Sequence, residues 1–273
     1  MDKELLRQVQ MTQLEILKEF VLICNKYHLQ YFLDGGTLLG AVRHHGFIPW
    51  DDDLDVAMPR NDYDKFCKLA SKCLPDYLFF QDFHMDKHYP YAFAKIRKKG
   101  TVFTELISQN CKMRDGIFID IFPYDNYPDQ KIKQVKQGSR IEFFKHLLLC
   151  KEKVYPWMGL RGKKRVIKMA EYLPFYPLSV FFSHNWLAIK YEKALKLYNN
   201  IECNYMKEPD LRYGKVIVPS KSLKTFIDLK FEGEMFQCPR GYKILLQSLY
   251  GDYMQIPPIE QRGDWHHVKK VQL

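Results

Sequence analysis

The chain has 273 residues, of which 47% are hydrophobic and 15% aromatic, enough to bury one or two substantial cores. Its 42 Lys and Arg exceed its 32 Asp and Glu, and the net charge of +10 suits nucleic acid, phosphorylated metabolites or an anionic membrane face. No internal repeat, low-complexity tract or linker rich in Pro, Gly and Ser divides the sequence, which argues against separable modules.

The first element predicted is an amphipathic helix that covers a core. Its apolar residues recur at helical spacing: Leu5, Leu6, Val9, Leu14, Leu17, Phe20, Val21 and Cys24. The charged start of the chain does not resemble a signal peptide. Seven cysteines form no CxxC pair and are odd in number, so we expect buried reduced thiols and a reducing, cytosolic location instead of a disulfide framework or a zinc site.

A glycine turn follows a short strand predicted at residues 31–33. Gly35 and Gly36 would let the backbone approach a ligand closely, and Thr37 is a candidate N-cap of the next helix. The start of a helix offers free N–H groups to a phosphate. Two adjacent imidazoles, His44 and His45, make a poor metal pair, and loop polarity accounts for them equally well.

Alternate aspartates are the most informative feature of the chain. In an extended segment Asp51, Asp53 and Asp55 would point to the same face. Their carboxylates would repel one another and raise some of their pKa values, a conflict that a bound Mg²⁺ removes. An Asp triplet is also common in solvated turns, but this one continues into a short apolar strand, which favours a metal site.

Asp120 is the single charge in an apolar run, residues 116–123, that is typical of a buried strand. Because a buried carboxylate without a partner is costly, Asp120 needs either a cation or hydrogen bonds from nearby backbone N–H groups. Lys95 and Arg97 lie two residues apart on a predicted strand, and with Arg43 they could clamp a diphosphate. Ordinary surface charge is the alternative for these basic residues.

A basic stretch precedes an uncharged one in the middle of the chain. Residues 151–168 hold seven Lys or Arg and one acid, and residues 172–189 contain no Asp, Glu, Lys or Arg. A membrane span needs about 20 apolar residues, and Pro174, Pro177 and His184 argue against one here. Core packing and contact with a membrane interface both remain open for this segment. No RNA- or DNA-reading module is recognisable.

Together, the glycine turn, the Asp53–Asp55 pair and Asp120 between isoleucines resemble the signature of the nucleotidyltransferase superfold of DNA polymerase beta-like enzymes. Residues 36–55 are specifically similar to the LicD family of phosphocholine transferases. The similarity extends from about residue 14 to 264, and no motif is matched within about 125–215. Its further pieces are Lys95 to Arg97, Thr101, Glu105, residues 116–123, 231–233 and 250–253, and Pro257 and Pro258.

The resemblance implies an α+β fold in which helices flank a mixed, nucleotidyltransferase-like sheet, with a helical elaboration in the middle and C-terminal parts. Residues 1–273 would form one catalytic unit. Its nucleotidyltransferase core would cover about 14–125, and a helical part that completes the pocket would cover about 126–273. Segments 231–233 and 250–253 would either complete this pocket or serve a structural role.

The activity implied is Mg²⁺-dependent transfer of phosphocholine from CDP-choline to a sugar hydroxyl, with release of CMP; Mn²⁺ could replace Mg²⁺. Asp51, Asp53, Asp55 and Asp120 would hold the metal, the last three as catalytic residues. The groups implied to bind substrate are Gly35, Gly36, Thr37, Arg43, Lys95 and Arg97. The acceptor would be a lipid-linked precursor of a teichoic acid or lipopolysaccharide, so we expect a cytoplasmic protein, at most peripheral on the inner face of an anionic membrane, and no nucleic-acid partner.

Other functions fit the same residues. The site could transfer ribitol phosphate, glycerol phosphate or a nucleotidyl group, or the chain could be a non-catalytic, membrane-associated scaffold. A scaffold has no use for mutually repelling carboxylates, which argues against it. A quaternary ammonium would suit an aromatic cage, but the sequence does not assign its residues.

Overall fold

The computed structural model describes residues 1–209, 217–262 and 267–273. Its α-helices are α1 (Lys3–Lys26), α2 (Gly35–His44), α3 (Arg60–Cys73), α4 (Lys131–Lys151), α5 (Gly162–Tyr172), α6 (Phe175–Ser179), α7 (His184–Leu195) and α8 (Tyr242–Tyr250). Its strands are β1 (Phe32–Leu33), β2 (Asp55–Pro59), β3 (Leu78–Gln81), β4 (Ala94–Lys98), β5 (Val102–Glu105), β6 (Phe118–Tyr127), β7 (Tyr205–Lys207), β8 (Val218–Pro219), β9 (Phe226–Phe231), β10 (Glu234–Pro239) and β11 (Val268–Gln272). The fold is therefore α+β, as predicted, and its middle part is helical. The C-terminal part, predicted to be helical as well, instead contains β7 to β11 and, among the described residues, the α-helix α8.

A mixed sheet forms the centre of the described structure. Its strands follow the order β1-β2-β6-β4-β3, with β7 paired to β6 and β8 paired to β7. β2 and β6 are parallel, whereas the other pairs in this sheet are antiparallel. Two antiparallel pairs lie outside it: β9 with β10, which are consecutive strands, and β5 with β11, which are distant in sequence.

β6 is the central strand, and its sequence explains its position. Nine of its ten residues are buried, as the apolar run predicts. Pro123 cannot donate to a ladder, and it lies beyond the residues that pair with β4 (118–121) and before those that pair with β7 (125–127). The proline therefore falls where β6 pairs with β2 alone.

α1 confirms the predicted amphipathic helix. The Asp2 carboxylate caps it by accepting a hydrogen bond from the Leu5 N–H at 2.8 Å, and the helix packs on β6, β4 and α3. Its buried face carries two glutamines besides apolar residues. Gln10 donates to the backbone oxygen of Asp51 and Gln13 to that of Asp52, both at 2.9 Å. α1 thus covers the core and also binds the backbone of the acidic loop, residues 51–54 before β2.

Helices α4 to α7 form a separate layer, in which α4 packs against α6 and α7. Most of the uncharged segment 172–189 is exposed, although Tyr172, Ser179, His184, Leu187 and Ala188 are buried. Core packing therefore accounts for the ends of the segment, including Tyr172, Leu187 and Ala188, but not for residues 173–181, most of which are exposed. Among the described residues, no helix is both long enough and apolar enough to cross a bilayer.

Candidate active site

An acidic cavity of about 680 Å³ opens on the central sheet. Nine carboxylate side chains line it: Asp34, Asp51, Asp53, Asp55, Glu105, Asp120, Glu208, Asp252 and Glu260. Within the described residues, the cationic side chains in its lining are Arg43 and Lys95. The chain as a whole carries a charge of +10, so the excess of basic residues lies outside this cavity, and the cavity itself suits a cation.

Three charged side chains cross the middle of the sheet in one row. Asp55 on β2 is the register partner of Asp120 on β6, and Asp120 is the register partner of Lys95 on β4. Side chains directly opposite one another on a sheet lie close enough to interact. Lys95 Nζ is 2.7 Å from Asp120 Oδ1, and both side chains are almost completely buried. The ammonium also lies 3.2 Å from the centre of the Phe118 ring.

Burial and mutual repulsion shift the ionisation of this row. Burial raises the pKa of Asp120 to about 6, although the ammonium of Lys95 opposes the shift. The protein around Asp55 removes its carboxylate from bulk water and raises its pKa, and the charges of Asp53 and Asp120 raise it further. Burial lowers the pKa of Lys95, against the effect of Asp120. The single ammonium of Lys95 therefore does not offset the burial and repulsion that raise the pKa values of these two neighbouring carboxylates.

The acidic loop before β2 keeps the predicted alternation, although the strand itself begins only at Asp55. Asp51 and Asp53 line the cavity, whereas Asp52 and Leu54 are buried beside it. Carboxylate oxygens of Asp51, Asp52 and Asp53 lie within 4.8 Å of one another. Asp52 was not among the predicted ligands; an Asp between two others carries no distinguishing pattern.

The glycine turn fits against these carboxylates. A Cβ on Gly35 would lie 2.7 Å from Asp55 Oδ2, and one on Gly36 would lie 2.5 Å from Asp51 Oδ2. Gly35 also has φ +51°, in the left-handed region that glycine tolerates. Both glycines line the cavity at the start of α2. Because they have no side chain, the backbone of this turn can lie directly against the carboxylates of Asp55 and Asp51.

Thr37 does not occupy the predicted N-cap position. α2 begins two residues earlier, and its N-cap is Asp34, because Gly35 can adopt the turn and start the helix. The Thr37 hydroxyl accepts a hydrogen bond from the Asp55 N–H at 2.8 Å. Thr37 is absent from the cavity lining among the described residues and ties α2 to the beginning of β2.

Arg43 lines the mouth of the cavity and holds the C-terminal segment over it. Its Nη1 donates to the backbone oxygens of Tyr253 and Gln255 at 2.9 and 3.3 Å. Tyr250, Asp252 and Tyr253 also line the cavity, so the segment 250–253 does reach the pocket.

Arg97 does not reach the cavity, which corrects its predicted pairing with Lys95 in a phosphate clamp. Its guanidinium is 1% exposed, donates to Gln81 Oε1 and to the Gly116 backbone oxygen at 2.7 Å, and is absent from the described lining. The two-residue spacing did place Lys95 and Arg97 on one face, and both lie against Phe118. Gln81 and Gly116 enclose Arg97, and no local pattern predicts their approach.

The segment 231–233 also lies outside the cavity lining. The Glu232 carboxylate accepts from the Phe47 N–H at 3.0 Å and pairs with Arg7. The Glu232 N–H donates to the His45 oxygen at 2.9 Å. These bonds join α1, the loop after α2 and the β9–β10 turn, a structural role.

Sequence reasoning did not identify an aromatic wall formed by Tyr91, Phe93 and Phe122. The Phe93 and Phe122 ring centres are 4.6 Å apart, and those of Tyr91 and Phe93 are 5.3 Å apart. All three side chains line the cavity. The one available signal was spacing: Phe122 follows Asp120 by two residues on β6, and Phe93, just before β4, precedes Lys95 by two residues.

The donor set fits a hard divalent cation such as Mg²⁺, which prefers carboxylate oxygens. Two observations support the fit: the close approach of the carboxylates in the acidic loop and the raised pKa values of Asp55 and Asp120. Asp51, Asp53, Asp55 and Asp120, the predicted ligands, all line this one cavity.

Comparison with known proteins gives two kinds of match. Residues 28–161 match the family described as LicD/FKTN/FKRP, nucleotidyltransferase domain. The whole chain is 33% identical to the whole length of the lipopolysaccharide cholinephosphotransferase LicD of Haemophilus influenzae. Shorter matches, 44% identical over 48 residues, cover 18% of this chain and 18% and 16% of uncharacterized proteins of Rickettsia prowazekii and Rickettsia typhi.

Proposed function

Because the chain belongs to the LicD family, we propose that it is an enzyme that transfers phosphocholine from CDP-choline to a sugar hydroxyl and releases CMP. The relative that matches over its whole length is named as a lipopolysaccharide cholinephosphotransferase. The acceptor we propose is a glycopolymer precursor of the lipopolysaccharide or teichoic acid type. The observation that supports this activity most directly is the row Asp55–Asp120–Lys95 in an acidic cavity.

Asp51, Asp53, Asp55 and Asp120 would hold Mg²⁺ or Mn²⁺ in this cavity. A bound divalent ion supplies charge neutralisation on the diphosphate and on the leaving CMP. The carboxylates would supply the binding site, and a bound cation would keep them ionised against the burial and repulsion that raise the pKa values of Asp55 and Asp120.

Other residues would position the substrates. Gly35 and Gly36 are half-buried and line the cavity at the start of α2, where a phosphate would meet the N–H groups of a helix's first turn. Arg43 and Lys95 supply positive charge at the mouth and the floor of the cavity. Asp51, at the start of the acidic loop, is half-buried and lines the cavity, so it can accept the proton of the acceptor hydroxyl.

We also propose that the surface of α5 and α6 contacts an anionic membrane that carries the acceptor. Lys163, Lys164 and Arg165 are exposed on α5. Large apolar side chains are exposed beside them: Val166, Ile167, Leu173, Leu178, Val180 and Phe181, the last 80% accessible. Exposed apolar side chains next to basic ones are typical of a segment that lies in a membrane interface.

The same reasoning extends to the fold. We propose that the central sheet belongs to the nucleotidyltransferase superfold, with the core at about 14–125 and the remainder completing the pocket. The parallel pair β2–β6, which carries Asp55 and Asp120 in register, supports the superfold assignment. The hydrogen bonds from Arg43 to the backbone oxygens of Tyr253 and Gln255 support a pocket-completing role for the C-terminal part.

The activity is tested by incubating the purified protein with Mg²⁺, CDP-choline and an acceptor glycan and following CMP release and acceptor phosphorylation by ³¹P NMR. CDP-ribitol and CDP-glycerol are compared under the same conditions. We expect transfer from CDP-choline that stops when EDTA removes the metal.

Two outcomes would contradict the proposal. Faster transfer from CDP-ribitol or CDP-glycerol would assign the chain to another phosphorylated alcohol. No transfer from any CDP-alcohol, with unimpaired binding to membranes, would favour a scaffold.

A further inference from the structure

The acidic cavity has a deeply buried inner end beside Asp120 and Lys95. The aromatic wall of Tyr91, Phe93 and Phe122 forms this end, and each of the three side chains is only 4–7% exposed. Because each lines the cavity, the surface that remains exposed faces the cavity. The wall therefore offers aromatic surface to a ligand that has been withdrawn from water.

A buried carboxylate accompanies the wall. Glu105 is the last residue of β5, is 7% exposed and lines the cavity with Tyr91. Its charge acts on its neighbours, since it contributes to the raised pKa values of Tyr91 and Asp120 after burial. The inner end thus combines aromatic rings with negative charge.

Tyr91 provides a second, independent observation. Its hydroxyl is buried and has no hydrogen-bond partner within the described part of the chain. A buried polar group without a partner is uncommon and destabilising. The neighbouring Tyr89, whose ring centre is 5.2 Å away, has a similarly unpartnered hydroxyl, but it does not line the cavity. Tyr91 is therefore the one of the two whose side chain borders the cavity.

The mouth of the cavity is aromatic as well but differs in charge. There the guanidinium of Arg262 lies 4.7 Å from the centre of the Trp50 ring, and Arg43 lines the same region. A cationic ligand would meet these two positive charges at the mouth. At the inner end, the one cation in the described lining is Lys95, which pairs with Asp120 and lies 5.6 Å from the Phe93 ring centre. The carboxylate of Asp120 therefore offsets the positive charge nearest the wall.

We propose that Tyr91, Phe93, Phe122 and Glu105 bind the quaternary ammonium of the donor and so select choline over neutral alcohols. This inference rests on the proposed function. A trimethylammonium group spreads its charge over methyl groups that form no strong hydrogen bonds, so aromatic faces and a nearby carboxylate recognise it. Phe122 follows Asp120 by two residues on the same face of β6, a distance of about 7 Å along a strand. An alcohol joined to a phosphate at Asp120 can span this distance.

The test compares two identical charge changes in one cavity. Glu105→Gln removes the buried carboxylate at the inner end, and Glu260→Gln removes an exposed one at the mouth. Binding of CDP-choline and of CDP-glycerol, each with Mg²⁺, is measured by calorimetry for both variants and the unchanged protein. We expect Glu105→Gln to weaken CDP-choline binding by at least about tenfold and to leave CDP-glycerol binding unchanged. Glu260→Gln should alter the ratio of the two affinities by less than about twofold.

A second pair of variants tests the aromatic surface. Phe93→Leu removes a ring of the wall, and Phe103→Leu removes a buried ring of the separate core cluster around Val9 and Phe118. We expect Phe93→Leu alone to reduce the preference for CDP-choline, by about fivefold. Retained CDP-glycerol binding shows that a variant is folded.

The outcomes separate this inference from the proposed function. If the unchanged protein binds CDP-choline but neither Glu105→Gln nor Phe93→Leu alters its preference over CDP-glycerol, the ammonium site is wrong and the proposed function stands. If the unchanged protein binds neither donor, both are overturned.

Discussion

The acidic cavity and the surface of α5 and α6 are opposite in almost every respect. The cavity collects buried carboxylates on rigid strands, with Asp55, Asp120 and Lys95 in register across the sheet. The α5–α6 surface instead exposes basic and apolar side chains on two short helices. Repelling carboxylates in one cavity favour binding of a cation, whereas exposed apolar side chains beside lysines favour contact with a membrane. The contrast supports catalysis at the cavity and membrane attachment at the α5–α6 surface.

The strongest way to break this comparison is to remove one cavity carboxylate. Asp53→Asn or Asp55→Asn should lower kcat at saturating Mg²⁺ by at least about a hundredfold, or ~2.7 kcal/mol in the barrier, because metal binding depends on both. Asp76→Asn, which changes an exposed Asp outside the cavity, should leave kcat unchanged. Steady-state CMP release measures both. Either cavity variant retaining more than about a tenth of the activity would contradict the metal assignment.

The second region is tested by charge reversal on α5. Replacing Lys163, Lys164 and Arg165 with Glu should weaken co-sedimentation with anionic vesicles by roughly a hundredfold, since each basic residue near such a surface contributes about 1 kcal/mol. Activity on a soluble acceptor should persist.

A matched control reverses Lys26, Lys68 and Lys72, which are exposed on α1 and α3. It makes the same change in net charge away from the apolar side chains of α5 and α6. Equal loss of vesicle binding in both triple variants would show that binding depends on net charge and not on the α5–α6 surface.

The close fit of the glycine turn sharpens the description of the cavity. Gly36→Ala places a Cβ 2.5 Å from Asp51 Oδ2 in the present arrangement, so the carboxylate must move, and we expect a loss of about tenfold in kcat. Gly138→Ala is the control. Gly138 lies in α4 with open space around it, and alanine there should stabilise the protein by up to about 1 kcal/mol without affecting kcat. Thermal unfolding and kinetics of both variants check this.

The smallest effect expected is on the pH dependence of stability. The folded-state pKa of Asp120, about 6, is above its ordinary value of 3.8. Between these two values the folded protein binds more protons than the unfolded chain, so stability falls as pH rises through this window. In EDTA, lowering the pH from 7 to 5 should therefore increase the free energy of unfolding by about 1 kcal/mol through this group.

Mg²⁺ should reduce this increase in the free energy of unfolding, because the ion stabilises the ionised carboxylates at pH 7. Urea unfolding at pH 7 and pH 5, with and without Mg²⁺, measures the free energy of unfolding under each condition. A metal-free protein that loses stability between pH 7 and 5, with no such loss in Asp120→Asn, would contradict the shifted pKa.

The residues that sequence alone identified share a local signature. Alternation placed Asp51, Asp53 and Asp55 at one cavity, and an isolated charge in an apolar run marked Asp120. The pairing of Lys95 with Asp120 was not predictable, because it depends on the register between β4 and β6. The same holds for Gln10 and Gln13, whose bonds reach about forty residues along the chain to the acidic loop.

Arg97 shows why a correct periodicity can still mislead. It shares a face with Lys95, but Gln81 and Gly116 cover it, and only the tertiary structure brings those groups together. The aromatic wall was missed for the opposite reason: Tyr91, Phe93 and Phe122 resemble ordinary core residues until the cavity beside them is seen.

The most direct test of the central claim, that the acidic cavity is a metal-dependent donor site, is thermal unfolding with CDP-choline and Mg²⁺ added separately and together. A ligand at a hundred times its Kd stabilises the folded state by about 2.7 kcal/mol. We predict a clear rise in Tm with both present, which EDTA largely removes and which ATP or oligonucleotides do not reproduce at moderate salt. An equal rise with RNA or DNA, or a rise with CDP-choline that EDTA does not affect, would contradict the account.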